Sequence, residues 1–193
     1  MVYSCIRNKI FFNKSRMKKA GIFFILIFAA ILCRSCLFNT FFRYNVIGER
    51  KVVQFKDREL RTFLDNQKKN DINDIIQSAL EKSTSDLSFS FEKCDNKTDI
   101  LVKTKKANCV GYSAYLASTI QYMLNSKKLN DKWRVSHKVG NIFFLQMNIN
   151  NYMKSKFFRD HDFVIVENTE TKEVIAIDGT LYDYFGINRI KLK

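Results

Sequence analysis

Cys109, His161 and Asp178 have the types and the chain order of a thiol nucleophile, its base and an orienting acid, with separations of 52 and 17 residues. A carboxylate beside an imidazole fixes the ring and stabilises its protonated form, and that imidazolium keeps a nearby thiol ionised for attack on a carbonyl carbon. Cys109 heads the run NCVGYSAYLASTIQYML, in which Cys109, Ser113, Leu116, Ile120 and Met123 recur at helical spacing. Asn108 is a good N-cap, so Cys109 falls in the first turn, where unpaired N–H groups and the helix dipole favour a thiolate. Its own N–H is one expected donor to an oxyanion.

The other two members meet through a hairpin. HDFVIVE and EVIAID are separated by the polar turn NTETK, the pattern of two antiparallel strands. If Glu167 faces Glu173, Asp162 stands opposite Asp178 and His161 opposite Gly179. A loop shorter by one residue sets His161 directly opposite Asp178. In either register the imidazole and carboxylate are neighbours, since facing Cβ atoms lie about 5 Å apart.

Other chemistries are poorly served. Asp160, His161 and Asp162 alternate between two strand faces, and the chain has only two histidines, so no metal centre is expected. There is no Gly-rich phosphate loop, and no cofactor is called for. His137, in WRVSHKV, shares a face with Trp133, Val135 and Val139 and reads as a core or groove-lining residue. Cys109 could instead be a buried structural thiol or pair with Cys94. Tyr182, Asp183 and Tyr184 read as residues that close the domain.

The residues NCVGYSAYLA, HDFVIVEN and AIDGT together resemble the transglutaminase-like superfamily of papain-like folds, over roughly residues 71–186. In that superfamily the Cys opens a buried helix, the His begins a strand, and the Asp ends the next strand before a turn. The resemblance implies that Cys109 is the nucleophile, His161 the base and Asp178 the orienting acid. The chain departs from the pattern at Ala107, Asp162 and Gly179, where a Gly, a small residue and a Pro are usual.

These residues need a helix set on a sheet. Helical patterns are predicted over residues 56–67 and 71–82, the second with Asp71 as its cap. Residues 83–104 are polar and turn-rich, with a short extended piece at LSFSF. After the Cys109 helix come strands at WRVSHKV, NIFFLQMNI, HDFVIVE and EVIAID. The expected class is α+β, a transglutaminase-like domain over residues 54–193 with helices packed on an antiparallel sheet.

Charge and hydropathy describe the rest. The net charge is +14, but half of it lies in the first 38 residues, which hold seven Lys or Arg and no acid. That asymmetry argues against specific nucleic-acid binding. Residues 1–19 form a basic segment expected on the cytoplasmic side. Residues 20–38 form an apolar run expected to be a single-pass membrane helix, with Arg34 snorkelling to the far interface. The positive-inside rule then sends the domain across the membrane. A cleaved signal, or lipid attachment at Cys33 or Cys36, is the competing reading of the same run. Residues 39–53 read as a connector.

The expected function is that of a membrane-anchored extracytoplasmic thiol enzyme acting on amide bonds of a protein or peptide substrate. Hydrolysis is expected ahead of transamidating cross-linking, because water is the default acceptor. The alternative is a non-catalytic binding module for an extracytoplasmic partner.

Overall fold

A computed structural model describes residues 14–193. Arg7 and Lys9 of the expected basic segment lie outside them. In chain order the elements are α1 (Lys14–Leu32), α2 (Arg34–Phe41), β1 (Phe42–Arg50), α3 (Arg58–Asp65), α4 (Ile72–Asp86), β2 (Ser88–Phe89), α5 (Thr98–Thr104), β3 (Lys106–Ala107) and α6 (Cys109–Ser126). There follow β4 (Trp133–Phe144), β5 (Met147–Asn148), two 3-10 turns (Ile149–Tyr152 and Lys156–Phe158), β6 (His161–Asn168), β7 (Val174–Ile177) and α7 (Gly179–Phe185). The expected α+β class, helices on an antiparallel sheet, is what forms.

The main sheet runs β1-β4-β6-β7, with β5 paired to β4. Helix α6 is central. Asn108 caps it by accepting from the Gly111 N–H at 3.2 Å, and its buried residues include Tyr112, Tyr115, Leu116, Ile120 and Met123. They pack against Val135, Val164, Val166 and Ile177 of the sheet and Ile75, Ile76, Ala79 and Leu80 of α4. Each such aliphatic side chain contributes about 1.5–3 kcal/mol by leaving water. Gly111 is required for close packing here, because a Cβ at that position would lie 2.9 Å from the Ala107 Cβ.

The opposite face of the sheet is filled by a second, smaller core of Tyr44, Phe163, Ile165, Ala176 and Ile190. The C-terminal residues hold it shut. Ile190 pairs with Ala176 of β7 and Leu192 with Tyr44 of β1, so the tail links the two edge strands. The Tyr44 N–H donates to the Lys191 carbonyl at 2.9 Å, and the Lys193 N–H to the Tyr44 carbonyl at 2.9 Å. Each edge strand is thereby paired to the tail at one position.

Four sequence expectations need correction. Residues 39–53 are not a connector, since they contain β1, which pairs with β4 along most of its length and bulges between Val46 and Gly48. WRVSHKV and NIFFLQMNI do not form separate strands. Gly140 and Asn141 continue as one strand facing Val46 and Asn45, and the chain turns only at Leu145, which takes a left-handed φ of 55°. The hairpin register differs from both versions considered. Val164 faces Ile177 and Glu167 faces Val174, a shift that the Asn168-capped turn sets by receiving the N–H groups of Glu170 and Thr171.

The fourth correction concerns the apolar run. It is not one 19-residue helix. α1 and the following α2 are bent by 72°, and no single helix among the described residues is long and apolar enough to cross a membrane, although the bent pair together has the length and composition. Arg34 provides the reason. It sits at the bend, and its guanidinium donates to the carbonyls of Ile31 at 3.1 Å and Gly186 at 3.4 Å. Asn39 donates to the Arg189 carbonyl at 2.9 Å, so α2 is docked on the domain.

Candidate active site

Cys109 is the first residue of α6 and is nearly buried, at 7% exposure. The first-turn donors of a helix have no intrahelical partners. Here the Gly111 N–H goes to the Asn108 side chain and the Tyr112 N–H to the Asn108 carbonyl, which leaves those of Cys109 and Val110. Cys109 and His161 line the same cavity of about 150 Å³, roofed by Phe89, Phe157 and Phe158. Phe157 and Phe158 meet edge to face at 5.0 Å, an arrangement aromatic quadrupoles favour.

His161 begins β6, and its Nε2 lies 2.7 Å from Asp178 Oδ2. The new register places these two diagonally on one sheet face, and Asp178 reaches back because it has left β7 to become the N-cap of α7. Its Oδ1 accepts from the N–H groups of Thr180 at 2.9 Å and Leu181 at 3.1 Å. Its Oδ2 accepts, besides His161, the Tyr44 hydroxyl at 2.8 Å. Four donors therefore fix one carboxylate, and His161 Nδ1 is left for the thiol.

The electrostatics follow from this arrangement. Burial works against charge on the imidazole, but the Asp178 carboxylate, by its charge and its hydrogen bond, and to a lesser extent Cys109, outweigh it and push His161 up to about 10. Burial alone would raise Asp178 as well, yet His161, the Leu181 N–H and Tyr44 hold it below the usual carboxylate range. Burial and the adjoining Asp178 raise the Tyr44 phenol well above its ordinary value, so it donates and does not ionise.

No family model matches the chain, and no curated protein or solved structure matches it either.

The three residues singled out in the sequence come together, Cys109 and His161 in one cavity and Asp178 behind His161. The other candidates separate from them. Cys94 is free, its thiol against the Glu92 carbonyl at 3.4 Å, and Cys109 is free too. Tyr112, buried in α6, uses its hydroxyl on the Leu87 carbonyl at 3.1 Å and Asp183 at 2.7 Å. Among the described residues no cluster of His, Cys, Asp or Glu is arranged to hold a metal.

Asp162 and His137 form a second pair on the other face of β6. His137 Nε2 lies 2.6 Å from Asp162 Oδ2, and Arg50 Nε donates to the same oxygen at 2.5 Å. Burial would raise this carboxyl, but the hydrogen bonds from His137 and Arg50 hold it below the usual range. Asp162, the unusual residue after the histidine, thus ties β6 to β4 and β1. Arg50 and His137 also line a cavity of about 520 Å³ on the far side of the first turn of α6.

Tyr44, Arg50 and the N–H groups after Asp178 are the site residues that sequence reading missed. A signal for Tyr44 was present, because Phe42, Tyr44 and Val46 alternate with Arg43 and Asn45. The bulge after Val46 breaks that period before it becomes long enough to read.

Proposed function

We propose that this protein is a thiol enzyme that cleaves amide bonds through Cys109, His161 and Asp178, tethered to a membrane by the apolar α1–α2 segment. The observation that carries the reading is the His161–Asp178 hydrogen bond, with the imidazole's free nitrogen in the cavity that Cys109 lines. It is the arrangement implied by the resemblance to transglutaminase-like enzymes. The tether rests on α1, where Ile22, Phe23, Phe24, Ile25 and Phe28 are all exposed. A helix apolar on its exposed faces requires a cover that water does not provide.

In the reaction, Cys109 Sγ attacks the carbonyl carbon, and the Cys109 N–H receives the developing oxyanion. The His161 imidazolium gives its Nδ1 proton to the departing amine, leaving a thioester on Sγ. The neutral imidazole then takes a proton from water as it attacks the thioester, which releases the carboxylic acid and restores the thiol. Asp178 keeps the ring in place and compensates its charge throughout.

An activated acyl donor tests this without knowledge of the natural substrate. Full-length protein in detergent mixed with p-nitrophenyl acetate is expected to release a burst of nitrophenolate equal to the protein present, with an acetyl group found by mass spectrometry on Cys109. Cys109→Ala is expected to abolish the burst. Absence of the burst in the wild type, or acetylation spread over the other cysteines, would leave a binding module and not an enzyme.

A further inference from the structure

The cavity at Cys109 does not end there. It shares Ile142, Ile149, His161 and Thr180 with a second groove of about 220 Å³, which continues along α7. That groove in turn shares Phe38, Phe42, Leu181 and Phe185 with a third, of about 440 Å³, whose far wall includes Ala30 of α1 and Leu37 of α2. Three adjoining cavities that share walls thus run in sequence from the thiol to the foot of the apolar helix, and together they form a trough.

The lining is mostly aliphatic and aromatic, and most of the polar groups along it already have partners, the buried Thr180 hydroxyl being the exception. Asp178 and Tyr44 are occupied with each other and with His161. Asn150 accepts from the Ile142 N–H at 2.7 Å and donates to the Phe158 carbonyl at 2.8 Å. A peptide laid here would lose water from its backbone N–H and C=O groups and gain few partners, which is costly. A hydrocarbon chain loses nothing by the same transfer and gains by leaving water.

We infer that the substrate is an amphiphile with a long aliphatic acyl chain, that this chain occupies the trough, and that it reaches Cys109 laterally from the lipid around α1. The inference rests on the proposed thiol chemistry and names its substrate class. The acyl carbonyl stops at Cys109 Sγ, the chain trails past Ile149 and Leu181 toward Phe38, and the amine leaves with the His161 proton. Water completes the hydrolysis to a free fatty acid. The bend between α1 and α2 has a role in this arrangement, because it lays Leu37, Phe38 and Phe41 along the trough instead of continuing a straight span.

The test compares acetyl and dodecanoyl p-nitrophenyl esters on the full chain in phosphatidylcholine nanodiscs, following acylation of Cys109 and of the exposed Cys36 by mass spectrometry. Cys36 reports simple partition of the longer ester into lipid. Cys109 is expected to favour dodecanoyl over acetyl by at least about tenfold more than Cys36 does. Phe185→Asp and Ile149→Asp should each bring that excess ratio down toward one. Equal enhancement at both cysteines, or a ratio that neither variant changes, would overturn the inference while leaving the thiol chemistry standing. Failure of even the acetyl ester at Cys109 would overturn the thiol chemistry. In that event the trough is read separately, with a diazirine-bearing dodecanamide on Cys109→Ala protein. Cross-links to β4 and α7 are expected, and cross-links confined to α1 would refute the trough as an acyl site.

Discussion

At the scale of single residues, the two histidine–aspartate pairs on β6 have different consequences. His161 is raised to about 10, so it stays protonated in the folded protein where the unfolded chain has lost the proton. Its contribution to stability is full below the ordinary value of 6.5 and is lost as pH rises toward about 10. Asp178→Asn removes the charge that holds the proton. The His161 titration followed by NMR is therefore expected to move down from about 10 toward the ordinary range, and the alkaline limb of acylation should move with it. Asp162 is depressed, so its contribution is present above the ordinary carboxylate value and lost as pH falls through its folded value. Asp162→Ala removes the buried hydrogen-bond acceptor shared by Arg50 and His137 and is expected to cost about 1–3 kcal/mol in urea denaturation. Acylation at Cys109 should survive in the fraction that remains folded.

At the scale of elements, the positions of the site residues depend on close backbone approaches. Gly140 faces His161 across β4 and β6, and a Cβ there would lie 2.5 Å from the Asn45 carbonyl oxygen and 2.7 Å from a Phe163 ring carbon. Gly140→Ala should therefore push β1 away and weaken the Tyr44 hydrogen bond to Asp178. A loss of about 1–3 kcal/mol is expected, measured by thermal or urea unfolding. Much of this layer was legible in the sequence. The α6 start at Cys109, its Asn108 cap, the α4 cap at Asp71 and the β6–β7 hairpin all come from local rules that residues within a few positions decide. What was not legible depends on long-range pairing. β1 becomes a strand only because β4 and the tail supply its partners, and the hairpin register is set by the Asn168 turn hydrogen bonds and not by matching Glu167 with Glu173. Asp178 still found His161 because helix capping moved it, a compensation no strand count contains.

At the scale of the whole molecule, α2 and the C-terminal tail meet beside the site. The tail closes the sheet over Tyr44, and Arg34 fastens α2 to Gly186, whose left-handed φ of 62° favours glycine. Deleting residues 187–193 removes Ile187 and Ile190 from the core and the tail's pairing from both edge strands. A loss of about 3–6 kcal/mol is expected in urea denaturation, with His161 losing its Tyr44-supported partner. The exposed apolar α1 is followed directly by α2, which is built into the domain beside the site. Cys109, His161 and Asp178 were legible in the sequence by type, whereas the cavities beside them were not, since their walls come from five separate stretches of chain.

Activation of Cys109 by His161 is the step on which the proposed thiol chemistry depends. The direct measurement is the pH dependence of Cys109 alkylation by iodoacetamide in the full-length protein, resolved by mass spectrometry, for wild type and His161→Ala, with glutathione in the same tube. An ordinary thiol of pKa about 8.5 slows roughly tenfold for each pH unit below that value. The wild-type Cys109 rate is expected to stay nearly level into mildly acidic solution, and His161→Ala to restore the steep decline. A wild-type rate that falls in parallel with glutathione, unchanged by His161→Ala, would contradict the account.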